Sequence, residues 1–213
     1  MILYSFFNSS TSYRVRIALA LKGLAHELRT VDIRAGEQYA GPHRTLSPVG
    51  GVPVLVTDEG EVITQSLAIL DYLDRIAPQV PLYPADPVQR AHVLELALLI
   101  SCDIHPLNNL RALKYLADPL AVGPEARSAW YAHWIAEGLG AAEVLLQRRG
   151  SSTYCFGDTP GAADCCLVPQ VANALRMGCD LTPYPRVHQI HAACLSHPAF
   201  QAAAPERQPD HRP

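Results

Sequence analysis

The stretch Ser9-Ser10-Thr11-Ser12-Tyr13-Arg14-Val15-Arg16-Ile17-Ala18-Leu19-Ala20-Leu21 joins an apolar opening segment, Ile2-Leu3-Tyr4, to an amphipathic run that stops at Gly23. Four hydroxyl residues in a row stand where strand becomes helix. Hydroxyl side chains at such a junction accept hydrogen bonds from the N–H groups of the first helical turn, which have no intrahelical acceptor. The same N–H groups, with the positive end of the helix dipole, attract an anion: a thiolate, a carboxylate or a phosphate. A cap needs one hydroxyl. Four of them point to a site.

Working outward from that junction, residues 1 to about 77 alternate strand and helix signals. Ile2–Tyr4 reads as a strand and Thr11–Lys22 as a helix with Val15, Ala18 and Leu19 near one face and Gly23 as its stop. Leu28–Ile33 reads as a second strand, and the polar 34–46 segment, with Gly36, Gly41 and Pro42, as a loop holding at most a short helix. Val52-Pro53 stands directly before the strand signal Val54-Leu55-Val56. Proline there cannot continue a central ladder and suits a cis bond, which would turn the Val52 N–H and C=O outward to pair with an extended ligand. Glu59-Gly60 turns the chain into Val62-Ile63-Thr64. Gln65-Ser66 then opens a helix over Leu67–Leu73 with Ser66 as its cap, an arrangement suited to an α-carboxylate. The order βαβ, then ββα, in one mixed sheet resembles the thioredoxin arrangement.

Residues 78–87 are a proline-rich connector, and the character changes after it. Val88–Leu116 is a long helical pattern kinked at His105-Pro106. Further helices are expected over Ala126–Arg148, Ala162–Met177 and Val187–Leu195. Gly161 and Asp164 have the spacing of a helix cap whose acid reaches back to the cap N–H. No strand signal of similar strength appears, so the expected organisation is an α/β domain at 1–78 and an all-α bundle at 88–213. The polar, proline-containing tail from Pro205 to Pro213 is expected to fray.

The bulk properties limit the function classes. The chain has 213 residues, 49% of them apolar, and a formal net charge of −3, which offers no electrostatic footprint for nucleic acid. Lys22 and Lys114 are the only lysines. No apolar run is long enough to cross a bilayer, and the start lacks the basic region and apolar core of a signal peptide, so a cytoplasmic location is expected. The six cysteines form no C-x-x-C pair and fall mostly in apolar runs, where they read as reduced core residues. The nine histidines are scattered, so no metal site is expected.

Taken together, Ser9–Leu21, Val52-Pro53, Gln65-Ser66, Cys102-Asp103-Ile104-His105-Pro106-Leu107-Asn108-Asn109, Ala163-Asp164, Leu167-Val168-Pro169-Gln170-Val171 and Asp180–Pro185 resemble the glutathione transferase superfamily, specifically its zeta class. The resemblance covers nearly the whole chain. It implies the glutathione transferase fold, glutathione as a regenerated cofactor, a homodimer, and cis–trans isomerisation of a small dicarboxylate, maleylpyruvate or maleylacetoacetate, in aromatic catabolism. It implies catalytic roles for Ser9, Ser10 and Thr11, with Ser10 and Thr11 facing the glutathione sulfur. Val52 would pair with the cysteinyl backbone, and Gln65 and Ser66 would hold the γ-glutamyl end. Asn108 and Asn109 would be contacts from the helical domain. Asn8, Arg111 and Arg176 would meet the substrate, and Arg14 would be structural. Three positions depart from the family pattern: Thr11 stands where much of the class has cysteine, Gly161 replaces a hydroxyl cap, and Asn8 replaces an arginine that would bring charge to a dianion. The alternatives are a general transferase or dehalogenase of the same class, and a non-catalytic binding protein on the same fold. Dehalogenases of this type use the cysteine that is Thr11 here. Non-catalytic relatives tend to lose the hydroxyl cluster or the Gln-Ser pair, both of which this chain retains.

Overall fold

The computed structural model describes residues 1–212, which form two compact units: Met1–Tyr83 together with the chain's end from Leu195, and Pro84–Cys194. The expected division, 1–78 and 88–213, follows the change of element type. The units differ from it because the final helix returns to the first unit rather than staying with the bundle.

The first unit is built on a four-stranded sheet of order β2-β1-β3-β4: β1 (Ile2–Ser5), β2 (Glu27–Thr30), β3 (Val54–Val56) and β4 (Val62–Thr64). β1 pairs in parallel with β2 and antiparallel with β3, and β3 pairs antiparallel with β4. β2 starts and ends earlier than expected. After Val31 donates to Ser5 O, the Asp32 carboxylate draws in the N–H groups of Arg34 and Ala35 and turns the chain away. A 3₁₀ turn at Glu37–Tyr39 and the short helix α2 (Gly41–Leu46) fill the following segment.

Helix α1 (Ser10–Lys22) keeps Val15, Ile17, Ala18 and Leu19 out of solvent, and Gly23 ends it in the left-handed conformation at φ 63°. Helix α3 (Ser66–Ile76) buries Ile69, Leu70 and Leu73 beside it. The Lys22 ammonium, out of solvent at the end of α1, donates to the Asp74 carboxylate at 2.9 Å and to the carbonyls of Ala77 and Val80 at 2.8 Å each. The first-unit part of the connector is thus tied to both helices.

The second unit is helical. Its helices are α4 (Pro87–Leu98), α5 (His105–Asn108), α6 (Leu110–Ala117), α7 (Pro124–Gln147), α8 (Ala162–Arg176) and α9 (Pro185–Leu195). The single kinked helix expected over 88–116 is instead three helices. A π-helical segment, Leu99–Ile104, precedes His105-Pro106, and the chain breaks again at Asn109, which is extended at φ −79° and ψ 164°. Gly138 of α7 permits close approach here, since a Cβ would lie 2.2 Å from the Ile104 side chain. Helix α10 (Pro198–Ala203) packs on α1. The tail expected to fray from Pro205 is folded over its described residues: a 3₁₀ turn at Pro205–Arg207 follows, Gln208 donates to the Ala202 and Ala204 carbonyls, and Asp210 accepts from the Phe7 N–H; Pro213 lies outside the described residues. Of the cysteines, Cys155, Cys165, Cys166 and Cys194 are buried, Cys102 is exposed and Cys179 lies between; all are free thiols. Burial pushes the Cys155, Cys165 and Cys194 thiols up, as suits core residues.

Candidate functional site

The β1–α1 junction gathers the hydroxyl residues into a relay. Ser9 is the N-cap of α1, with extended backbone at φ −81° and ψ 119°; its side chain accepts from Ser12 N–H at 3.2 Å. Ser9 Oγ and Thr11 Oγ1 are 2.9 Å apart, and Thr11 Oγ1 donates to the Val52 carbonyl at 2.8 Å. A carbonyl only accepts, so the Thr11 proton lies toward Val52 and Ser9 must donate to Thr11. The direction is therefore Ser12 N–H to Ser9, Ser9 to Thr11, Thr11 to Val52. Ser10 is the first residue of the helix and 9% exposed, and Asn8 lies half-buried just ahead of the cap. No acidic residue stands in the first turn of α1, so its positive end is uncompensated by the helix itself.

Val52 precedes a cis peptide bond to Pro53. The loop leading to it is held by α2: His43 Nε2 lies 2.9 Å from Gly51 O, and Gly51 N–H donates to Ser47 Oγ at 3.0 Å. The second helix start differs from the expected one. Gln65, not Ser66, is the N-cap of α3. Its backbone is left-handed, φ 69° and ψ 114°, and its exposed side chain makes no capping bond. A non-glycine residue in that region costs about 1–3 kcal/mol and collects at ligand clamps. Ser66 is the first helical residue, buried, and its Oγ accepts from Arg14 Nη1 at 3.2 Å. The first turn of α3 also lacks an acid. Arg14, 2% exposed, therefore links the two helix starts, in line with a structural role.

The remaining sequence-predicted residues belong to the second unit. Asn108 is 3% exposed at the end of α5, and neither amide atom has a hydrogen-bond partner among the described residues. Asn109 caps α6, its Oδ1 accepting from Ala112 N–H at 2.9 Å. Trp130 Nε1 donates to Leu107 O at 2.7 Å and fastens the break to α7. Arg111 is exposed on α6, and Arg176 is exposed at the end of α8, where it donates to Asn173 Oδ1.

Thus Ser9, Thr11 and Val52 converge in the first unit, and Ser66 is bonded to α1 through Arg14. Asn108 and Asn109 adjoin in the second, with Asn109 committed to a cap. Residue patterns did not reveal Arg16. Arg14 and Arg16 are two positions apart, roughly 200° around a helix, so they leave α1 on opposite sides. Two arginines in an otherwise apolar run were the available signal.

The model of the glutathione S-transferase N-terminal domain matches residues 8–76. The maleylacetoacetate isomerase of Pseudomonas aeruginosa is 44% identical over 212 residues, covering 99% of this chain and 98% of that one. The holo structure of a maleylpyruvate isomerase, described as a bacterial glutathione S-transferase of the zeta class, superposes with a TM-score of 0.96 at 43% identity over 100% of both chains. A maleylacetoacetate isomerase from Methylobacterium extorquens AM1, solved with bound malonate and glutathione, gives a TM-score of 0.96 at 35% identity, again over 100% of both. Full-length identity of this order, with the same fold over the whole chain, places it in a single family: it belongs to the zeta class of the glutathione transferases.

Proposed function

We propose that the protein is a glutathione-dependent cis–trans isomerase of a small dicarboxylate, maleylpyruvate or maleylacetoacetate, in the breakdown of aromatic compounds. The observation that carries this reading is the β1–α1 corner, where a hydroxyl-capped helix start without an acid faces a turn that presents backbone groups. Its residues fit the tripeptide. α1 offers N–H groups and a hydroxyl to a thiolate, Val52 offers backbone, and the α3 start offers a positive helix end with the unbonded Gln65 amide to a carboxylate. The orphaned, buried Asn108 amide adds donors and acceptors for a polar ligand from the second unit. Asn109 and Ser66 are the further contacts in this reading.

Bound glutathione supplies the thiolate that adds reversibly to the activated double bond and permits rotation about it. The protein's task is to keep that thiol ionised. A free thiol has a pKa of about 8.5, and lowering it by two units takes about 2.7 kcal/mol. The head of α1 and hydroxyl donors each contribute on the order of 1 kcal/mol. Ser10 is the hydroxyl we assign to the sulfur. Thr11, with Ser9 behind it, holds the Val52 turn against α1; one lone pair of the Val52 carbonyl stays available to the ligand. Turned away from Val52, the Thr11 O–H would be a second hydrogen-bond donor for the thiolate. Arg111 and Arg176 are assigned to the substrate carboxylates and to the charge that develops beside them, with Asn8 as an uncharged hydrogen-bonding partner.

The protein is further proposed to act in the cytoplasm as a homodimer. Exposed apolar side chains at Val62, Ile76 and Val80 in the first unit and at Val88 and Leu98 in the second support association, and among the described residues no helix is long and apolar enough to cross a membrane. Light scattering at several concentrations tests the dimer. The function is tested by adding glutathione and each cis substrate to the purified protein and following the trans product. Absence of glutathione-dependent turnover with both would reject the assignment. Arg176→Ala should raise the substrate KM, and an unchanged value removes Arg176 from the site.

A further inference from the structure

The turn that delivers Asn8 and Ser9 to the head of α1 is held from the far end of the chain. Arg16, 4% exposed, donates from Nη1 to Phe6 O at 3.2 Å and to Ser5 Oγ at 3.1 Å. Its Nη2 donates to Phe7 O at 2.9 Å, and its Nε to Ala203 O at 3.0 Å. The Phe7 N–H donates to Asp210 Oδ2 at 2.9 Å, and the Phe7 ring meets His211 edge-on at 5.3 Å. Ser9 N–H in turn bonds Phe6 O at 3.0 Å, so the cap of α1 hangs from the same peptide group that Arg16 grips. Burial lowers the Arg16 pKa to about 10, with Tyr13, Asp210 and Glu206 opposing the fall, so the guanidinium is charged at neutral pH. A buried guanidinium costs desolvation unless it is fully bonded, and here it is bonded on three sides. The Phe6-Phe7 backbone therefore has Arg16 on its carbonyls and the tail carboxylate on its amide.

We propose that Asp210 and Arg16 are positioning residues for the thiolate site, the tail from Ala203 to His211 serving as a strut that sets where Ser9 and Ser10 stand. The proposal rests on reading the β1–α1 corner as that site. Without the Asp210 acceptor the Phe7 N–H loses its partner and the turn relaxes. The Ser10 hydroxyl and the first N–H groups of α1 then lie off the sulfur. The α3 end is untouched, so the effect falls on thiol ionisation and turnover, not on glutathione affinity.

Asp210→Ala tests this beside Asp210→Asn, which keeps an oxygen acceptor for Phe7 N–H but no charge. Three readouts apply: the ultraviolet thiolate titration of bound glutathione, kcat against KM, and hydrogen exchange at the Phe7 amide. For Asp210→Ala the thiol pKa should rise by about half a unit and kcat fall about fivefold, with KM and glutathione Kd within about twofold. Phe7 exchange should quicken about tenfold. Asp210→Asn should restore all three. Asp210→Ser, which shortens the acceptor, carries the same expectation at smaller amplitude should the alanine variant not fold. Faster Phe7 exchange with an unshifted thiol titration would make the tail packing only and overturn the proposal, as would unchanged exchange. Failure of the unaltered protein to bind glutathione would instead reject the functional reading itself, before any variant is compared, and the strut's role with it.

Discussion

Two helix starts in this molecule solve the same physical problem in opposite ways. At the head of α8, Asp164 is 1% exposed and accepts from Gly161 N–H and Cys155 N–H, each at 2.9 Å, with the Cys194 thiol at 3.7 Å. Desolvation raises its pKa while those bonds oppose the rise. At the head of α1 the capping groups are hydroxyls and no acid is present in the first turn. The α8 dipole is met by the chain's own carboxylate, so nothing external is wanted there. The first turn of α1 carries no such carboxylate, and this is the helix start we assign to an anion from outside.

The largest break in that comparison is Asp164→Ala. It strips two backbone N–H groups of their partner in a dry environment and should cost about 3 kcal/mol or more in urea unfolding, while kcat of the folded fraction stays near wild type. A stability loss under about 1 kcal/mol would mean the α8 start does not depend on its acid.

The second unit also carries buried His191, whose pKa burial lowers to about 4, with His188 adding to the fall. Its folded pKa lies below the unfolded value of 6.5, so its stabilising contribution is complete above about 6.5 and is lost as pH falls toward 4. The full loss is at most about 3 kcal/mol. Asp164 acts in the opposite sense, because its raised pKa favours the protonated native form at low pH. Urea midpoints between neutral and mildly acid pH should fall, and His191→Gln should flatten that slope.

At the head of α1 the expected effects move from stability to chemistry. Ser10→Ala should lower kcat about tenfold or more with glutathione Kd within about twofold and little change in the unfolding midpoint, the reverse of Asp164→Ala. A weakened Kd with unchanged kcat would move Ser10 out of the thiolate's reach. The smallest effect is expected at the α3 start. Gln65→Gly relieves the left-handed backbone and should stabilise the fold by about 1 kcal/mol while weakening glutathione about fivefold. Calorimetry of both properties on one variant separates strain from binding.

Much of this was legible in the chain. The hydroxyl run, the Val52-Pro53 turn, the Gln65-Ser66 step and the Gly161/Asp164 spacing are local signals, each expressed within one turn or one loop. Ser66 was misplaced by one position because a hydroxyl is the usual cap, and the left-handed backbone that makes Gln65 the cap leaves no mark in residue type. The break at Asn109 was hidden because the helical pattern over Val88–Leu116 was assigned its one interruption at His105-Pro106. The tail was expected to fray because its composition is polar, whereas Asp210 accepts from the Phe7 N–H and Gln208 donates to the Ala202 and Ala204 carbonyls.

The residues alone determined the order of the strands and main helices, the capped starts of α1 and α8 and the family, because capping, turn chemistry and hydrophobic period act over a few neighbouring positions. Tertiary structure alone decided that Thr11 gives its proton to Val52, that Arg14 and Arg16 reach opposite partners, and that Asp210 returns to Phe7. Those pairings span 41, 52, 187 and 203 positions along the chain. At such separations no local preference applies, and only the packed sheet and helices bring the groups within hydrogen-bonding distance.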